Sequence, residues 1–368
     1  MKRSLLILLL ALLGACTSAK TQAQPQTDQT TDVQADAQTD PQSTDSLLTI
    51  AMCGDIMMGT TYPTVRLPQN NGAEIFAHVK QLFLDADLSA GNLEGVIADS
   101  GKSTKDVSKA NNYAFRTPES YAHLLTEAGF DYLNLANNHT NDFGLEGRKR
   151  TREILEREGI AYSGLPDCET AIVEKNGVRY GICSFGQNSY TLKHTNTASV
   201  TRIVSALRPQ CDILVVNFHG GAEGTKYSHL PDGPETYLGE NRGNLRAFAH
   251  HCIDLGADIV FGHGPHVVRA VECYKGHLIA YSLGNFCTTY GINVAGLTGY
   301  APVLVARIAR DGRFVEGRIH SFIQTPGTGP LPDLENKVAQ HMRSLSEADF
   351  RGNYGLTISD DGTLTPKP

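Results

Sequence analysis

The feature that most constrains this chain is an alternation of two kinds of segment. Short strand-like apolar runs occur at 47–53, 132–136, 180–185, 213–218, 259–261, 278–282 and 303–308. Helix-like stretches fall between them at 73–84, 119–128, 145–158, 200–207 and 244–255, with a late one at 334–345. In the 145–158 stretch, Leu145, Ile154 and Leu155 stand among charged residues, and Gly159 stops the pattern. Strands alternating with helices of this length predict an α/β sheet covered by helices. No internal repeat interrupts the alternation.

In such a sheet, chemistry collects just beyond the carboxyl ends of the strands. Polar, glycine-flanked clusters stand at five of these places. They are Gly54-Asp55-Ile56-Met57-Met58-Gly59, Gly91-Asn92-Leu93-Glu94-Gly95, Asn137-Asn138-His139-Thr140-Asn141-Asp142, His219-Gly220-Gly221 and Gly262-His263-Gly264-Pro265-His266. Asp, Glu, Asn and His are the donor set for a hard-to-borderline divalent cation, and glycine lets backbone approach closely. One histidine after a strand is more often a satisfied structural residue than a ligand. Five ligand-type clusters at five strand ends predict a metal centre.

The N-terminus places this body outside the cytoplasm. Lys2 and Arg3 precede an almost unbroken apolar run at 5–13, and Leu13-Gly14-Ala15-Cys16 closes it with small residues before a cysteine. Charge, short apolar run and small-residue cleavage site make a secretory signal, too short to remain as a spanning helix. Those four residues look like the lipobox of bacterial lipoproteins, in which the cysteine thiol receives lipid and becomes the mature N-terminus. The expectation is residues 1–16 as signal and lipidation site, with the membrane as partner through lipid on Cys16. Each buried acyl methylene contributes about 0.8 kcal/mol to such an anchor. Thr17, in place of an aspartate, points to the outer membrane where a bacterium has two. Residues 17–46 are Gln, Thr, Asp, Ala and Ser with one aliphatic, Val33, and no aromatic. Such a segment cannot offset the entropy of ordering and reads as a disordered tether reaching on the order of 30 Å.

A net charge of −7 and a pI near 6.0 argue against nucleic acid as a partner. Beyond Cys16 there are Cys53, Cys168, Cys183, Cys211, Cys252, Cys273 and Cys287, without a C-x-x-C pair or a zinc-type spacing, and no chemistry is assigned to them. The domain plan is a body at 47–348 and a C-terminal tail at 349–368.

The five clusters, in this order, resemble the CapA family of capsule-synthesis proteins associated with poly-γ-glutamate, itself similar to the metallophosphoesterases. The likeness runs from about residue 48 to 308. It is strongest at 54–59, 92–95, 137–144 and 258–286, including Tyr281-Ser282-Leu283-Gly284-Asn285-Phe286, and Tyr113-Ala114-Phe115-Arg116-Thr117-Pro118 also matches. The resemblance implies a metallophosphoesterase-like layered α/β sandwich with metal-type residues at the C-terminal ends of strands.

It also implies roles. Asp55, Glu94, Asn138, His219 and His266 would hold one or more divalent cations of the Mn, Zn or Fe class, and His139 would be the general acid. Asn92, Arg116, His263 and Asn285 would contact substrate. Two departures stand out: Met57 occupies the place of a first-motif histidine, and Gly220 replaces the tryptophan that commonly follows the lone histidine. The polar segment 221–243, with Glu223, Lys226, His229 and Arg242, is a candidate lid or specificity loop. Two kinds of function follow. One is a metal-dependent, phosphoesterase-like hydrolase in making, exporting or retaining a polyanionic capsular polymer with its synthesis machinery. The other is a non-catalytic polymer- or ligand-binding module with a degenerate metal site.

Overall fold

The structure, a computed structural model, describes residues 47–368. The export signal, Cys16 and the 17–46 tether lie outside the described residues. Two sheets form the centre of the body. The larger has β1 (Leu48–Met57), β2 (Leu88–Leu93), β3 (Tyr132–Asn134) and β4 (Ala161–Ser163) side by side and parallel. The smaller is built on β5 (Thr170–Lys175), β6 (Val178–Phe185), β7 (Ile213–His219), β8 (Ile259–His263), β9 (Val271–Tyr274) and β10 (His277–Ala280), in the order β9-β10-β8-β7-β6-β5. Within it, β6, β7, β8 and β10 are parallel and the two edge strands are antiparallel. The larger sheet is completed beyond β1 by β11 (Asn285–Thr288) and β12 (Val303–Ile308), then β13 (Phe314–His320), β14 (Leu356–Ile358) and β15 (Thr363–Pro366).

Side-chain alternation explains the layering. On β1, Ile50 and Met52 face one way into a core shared with Ile182, Val215 and Phe261 of the smaller sheet. Ala51 and Cys53 face the other way. There they meet helices α1 (Lys80–Leu84), α2 (Ala122–Ala128) and α3 (Gly144–Arg157) through Phe83, Leu125 and Ile154. The smaller sheet is covered by α4 (Thr197–Leu207) and α5 (Leu245–Asp254), through Val200, Ile203, Phe248 and Cys252. Because each central strand is buried on both faces, its sequence is a continuous apolar run rather than an alternating one. Asn196 and Asn244 start α4 and α5 by accepting from Ser199 N at 3.1 Å and Ala247 N at 3.0 Å. The architecture is the layered α/β sandwich expected.

Two expectations change. Only Lys80–Leu84 of the 73–84 stretch is α-helical. The backbone before it turns so that Ile75 O lies against Gly329, where a Cβ would collide with it. The chain past 349, expected as a tail, instead supplies β14 and β15 to the larger sheet. Leu356, Ile358 and Leu364 are buried there, and α6 (Lys337–Asp349) packs beside them through Val338, Met342 and Leu345. Strands of three and four residues are too short for their alternation to stand out in sequence. No helix among the described residues is long and apolar enough to cross a membrane. All seven described cysteines are free.

Candidate metal centre

The parallel strands of both sheets end at one edge of the sandwich, and their registers align the polar residues. Asp55 is paired with Asn285 on β11 and with Asn92 on β2, and Asn92 is paired with Asn134 on β3. In the smaller sheet His263 stands opposite His219. Asp55 holds its position because the preceding residue is glycine. A Cβ at Gly54 would collide with Gly284 O, the same carbonyl that accepts from Asp55 N at 2.9 Å. Gly264 plays the matching part across the site. At φ +115 it lies against the Gly220 backbone, where any side chain would collide, and the two turns join through Gly220 N to His263 O at 3.0 Å.

The side chains converge. Asp55, Glu94 and His219 are fully buried, and each offers a ligand atom within 4.8 Å of the others'. His219 Nε2 is 3.4 Å from Glu94 Oε1. His266 joins them, with Nδ1 3.2 Å from Asp55 Oδ2 and Nε2 3.7 Å from Glu94 Oε1. Asp55 Oδ2, both Glu94 oxygens, the Asn138 side-chain oxygen and both His219 ring nitrogens are buried without a hydrogen-bond partner. Buried polar atoms are ordinarily paired, so a group of orphans facing one another is the signature of a site built for something between them.

The charges fit a cation. Burial alone would raise the Asp55 carboxyl, but His263 and His266 outweigh it and hold Asp55 well below the carboxylate range. Burial first, then the Asp55 charge, pushes Glu94 up to about 8. Burial would lower His266, yet Glu94 and Asp55 raise it to about 10, while burial, outweighing the opposing charge of Asp55, lowers His219 to about 4. The cluster thus keeps protons on Glu94 and His266 where a divalent cation would serve instead.

Below the triad lies a layer of amides. Asn92 Nδ2 donates to Asp55 Oδ1 at 2.9 Å, and Asn92 Oδ1 accepts from Asn134 and Asn137, each at 3.0 Å. His263 Nδ1 is 3.3 Å from Asp55 Oδ1, and its Nε2 faces Asn217 Nδ2 at 3.0 Å. Asn285 contacts His266 Nδ1 at 3.0 Å and donates to Thr298 O at 2.9 Å. Asn92, His263 and Asn285, expected to touch substrate, are fully buried and orient Asp55 and His266 instead. Arg116 departs further. Its guanidinium lies over the rings of Tyr62 and Phe143 and donates to Thr61 Oγ1 and Gly101 O, away from the cluster, because these aromatic faces, the hydroxyl and the carbonyl satisfy it locally.

His139 lines a cleft of about 570 Å³ that opens over His266 and Asn138. Its ring lies 4.4 Å from that of Phe115, and its Nδ1 is 2.8 Å from Asp142 Oδ2. Because a carboxylate only accepts, Nδ1 is the protonated nitrogen in this contact, leaving Nε2 for the cleft. Asp142 is fully buried, its Oδ2 also accepts from Phe115 N at 2.7 Å, and its Oδ1 is ion-paired with Lys105 Nζ at 2.6 Å. Sequence reading missed Asp142 and Lys105 as members of the site. Asp142, three residues after His139 and one turn away, was the available signal; Lys105 had none. Gly220 also proves sterically required, since its missing side chain leaves room for His194 Nε2, 2.7 Å from the place of a Cβ.

A layered α/β protein with a strand-end cluster of carboxylates and imidazoles is the class these features define. Residues 49–290 match the family described as bacterial capsule synthesis protein PGA_cap, and the chain belongs to that family. It is 31% identical over 264 residues to the capsule biosynthesis protein CapA of Bacillus anthracis, covering 66% of this chain and 60% of that protein. It is also 31% identical over 265 residues to the PGA biosynthesis protein CapA of Bacillus subtilis, covering 67% and 65%. The chain thus spans somewhat under two thirds of the length of these curated relatives. Among solved structures, it is similar to a hypothetical protein from Thermus thermophilus at 18% identity and TM-score 0.47, covering 76% of this chain and 100% of that one. A 5'-nucleotidase precursor from the same organism gives 12% identity and TM-score 0.43, covering 83% and 58%. Purple acid phosphatase PPD1 from yellow lupin gives 9% identity and TM-score 0.40, covering 77% and 52%.

Proposed function

We propose that this capsule-synthesis family member is a metal-dependent, phosphoesterase-like hydrolase of the cell envelope. On this reading it works in making, exporting or retaining a poly-γ-glutamate-type polymer alongside the synthesis machinery. The observation that carries the proposal is the set of buried, unpartnered ligand atoms on Asp55, Glu94 and His219, within 4.8 Å of one another. Leaving such groups unfilled is costly, and a divalent cation of the Mn, Zn or Fe class satisfies carboxylate and imidazole together. Asp55, Glu94, His219 and His266 would hold it, with Asn138 contributing its free side-chain oxygen from the cleft side.

A cation in that position supplies charge stabilisation for a reacting phosphoryl oxygen and activates water for attack. The chain's own residues do the rest. Asp142 holds the His139 ring through Nδ1 and leaves Nε2 facing the cleft, from where it would deliver a proton to the leaving oxygen. Phe115 packs against the same ring and keeps it from turning. The amides of Asn92, Asn134 and Asn137 fix Asp55 from beneath, which keeps the anionic charge where the cation sits.

Cys16 would carry lipid and hold the body outside the cytoplasm, in the outer membrane where a bacterium has two. Detergent partitioning of Cys16→Ser against the parent is the check, and equal partitioning would refute the anchor. The catalytic reading is tested by elemental analysis of chelated and reconstituted protein together with an assay on bis(p-nitrophenyl) phosphate. His139→Ala should retain the metal and lose about 100-fold or more in turnover, the usual weight of a general acid. The second reading is a polymer-binding role without turnover. It is favoured by Met57, whose side chain packs beside Gly291 and Gly95 where the metallophosphoesterase pattern has a histidine. Metal-loaded protein that is inactive on phosphodiesters yet binds poly-γ-glutamate would establish that role.

A further inference from the structure

We propose that Glu223 is the third carboxylate of this centre, serving a second cation position on the cleft side that Met57 leaves short of a ligand. The inference rests on the metal-centre reading above and extends it to a residue outside the triad.

Backbone geometry places Glu223 at the site. The chain leaves β7 at His219, and the next turn is stitched to the turn that carries His266. Gly220 N donates to His263 O at 3.0 Å, and Gly224 N donates to Pro265 O at 2.9 Å. Glu223 is therefore held beside His266, lines the same cleft as His266, His139 and Asn138, and acts electrostatically on both His219 and His266.

The other side of the turn is held by a buried ion pair. Arg269 is fully buried, and its guanidinium meets Glu235 through two contacts of 2.8 Å. Glu235 Oε2 accepts from Ala222 N at 2.9 Å, while Arg269 donates to Ala222 O at 3.3 Å and Tyr227 O at 2.7 Å. One guanidinium thus ties together three points of the 221–243 segment. Desolvating such a pair is expensive, so it marks a place where fixed geometry matters. The segment expected as a lid or specificity loop is held as a wall of the cleft, and Glu223 is the carboxylate it presents to the metal centre.

Arg242 makes the role chemically workable. Its Nη1 lies 2.7 Å from Glu223, and its Nη2 lies 3.1 Å from the exposed Glu240. A cation arriving at Glu223 leaves Arg242 with Glu240 as a partner, so neither charge is stranded. Independent evidence that the centre has capacity for cations comes from Glu94 and His219, fully buried and with no hydrogen-bond partner on either oxygen or either ring nitrogen.

The test is calorimetric titration of chelated full-length protein with Mn(II), with elemental analysis of the product. The forms compared are the parent, Glu223→Gln, Glu223→Asp and Glu240→Gln. The parent should take up a first and a weaker second equivalent. Glu223→Gln should keep the first and weaken the second by about tenfold or more, the scale expected for a supporting metal-site residue. Glu240→Gln should weaken the second equivalent less than Glu223→Gln does, because Arg242 then has no second carboxylate to turn to and keeps its hold on Glu223. Glu223→Asp, which keeps the charge on a shorter stem, should fall between the parent and Glu223→Gln and stands in if the glutamine form does not fold. Unchanged Mn(II) stoichiometry and affinity in both Glu223 variants would overturn this inference alone. A parent that takes up no Mn(II), Zn(II) or Fe(II) would overturn the metal-centre reading, and this inference with it.

Discussion

The two sheets furnish the two halves of the site in different states of completion. On the larger sheet, Asp55, Asn92, Asn134 and Asn137 form a continuous chain of hydrogen bonds. On the smaller sheet, His219 has neither ring nitrogen hydrogen-bonded, and His263 is tied to Asn217 through Nε2 alone. The difference is one of chemistry. A carboxamide carries both donor and acceptor, so a row of amides can satisfy itself in any buried place. A carboxylate only accepts, and the ring nitrogens of His219 and His266 facing Glu94 at 3.4 and 3.7 Å need a proton or a cation between them. The amide half is scaffold, and the imidazole half is capacity.

Removing the residue on which both halves meet should have the largest effect. Asp55→Ala takes the anion from Asn92, His263 and His266 at once. Breaking a buried charge contact of this kind costs about 3–5 kcal/mol, which urea unfolding should register, and metal content should fall to background. A variant of parental stability and metal content would break the comparison.

The next pair separates scaffold from capacity. Asn92→Ala should cost about 1–3 kcal/mol, because the amides of Asn134 and Asn137 and an oxygen of Asp55 lose their partner. Most of its metal affinity should survive. His219→Ala should do the reverse, with a small change in melting temperature and roughly a 10–100-fold loss of metal affinity. Equal effects of the two on both measurements would mean that the halves are not distinct.

The smallest expected effect is on pH. Glu94 sits at about 8 and His266 at about 10 in the metal-free cluster. Both are protonated at neutral pH, and a cation must displace those protons. Affinity should therefore fall roughly tenfold per pH unit as pH drops from about 10 to about 8, where the His266 proton must leave, more steeply below about 8, where the Glu94 proton must leave as well, and be flat above about 10. Calorimetry in buffers of different ionisation enthalpy measures the release directly, and an affinity independent of pH would show that the cation binds elsewhere.

The legibility of the chain in sequence follows from how local each signal is. Doubly buried parallel strands need long apolar runs, so β1, β6, β7 and β8 stood out, as did the five polar clusters that follow β1, β2, β3, β7 and β8. Asp55, Glu94, His219 and His266 could be picked for that reason, since a strand end followed by a donor residue is a local pattern. Where a side chain points once it arrives is not local. Asn92 and His263 carry the right chemistry at the right strand ends, yet the register of β1 with β2 and the packing of β8 beside β1 turned them under Asp55 rather than towards the cleft. Arg116 sits in a matching segment, and only the positions of Tyr62 and Phe143 decided that its guanidinium stays with them. Lys105 and the Arg269–Glu235 pair join residues 37 and 34 positions apart, and no periodicity carries such information. Composition and periodicity determined the layers, the polar edge and the donor set, because these depend on burial and hydrogen bonding along single segments. Which donors face one another, and which are spent holding the others, was decided by contacts between segments that only the folded chain brings together.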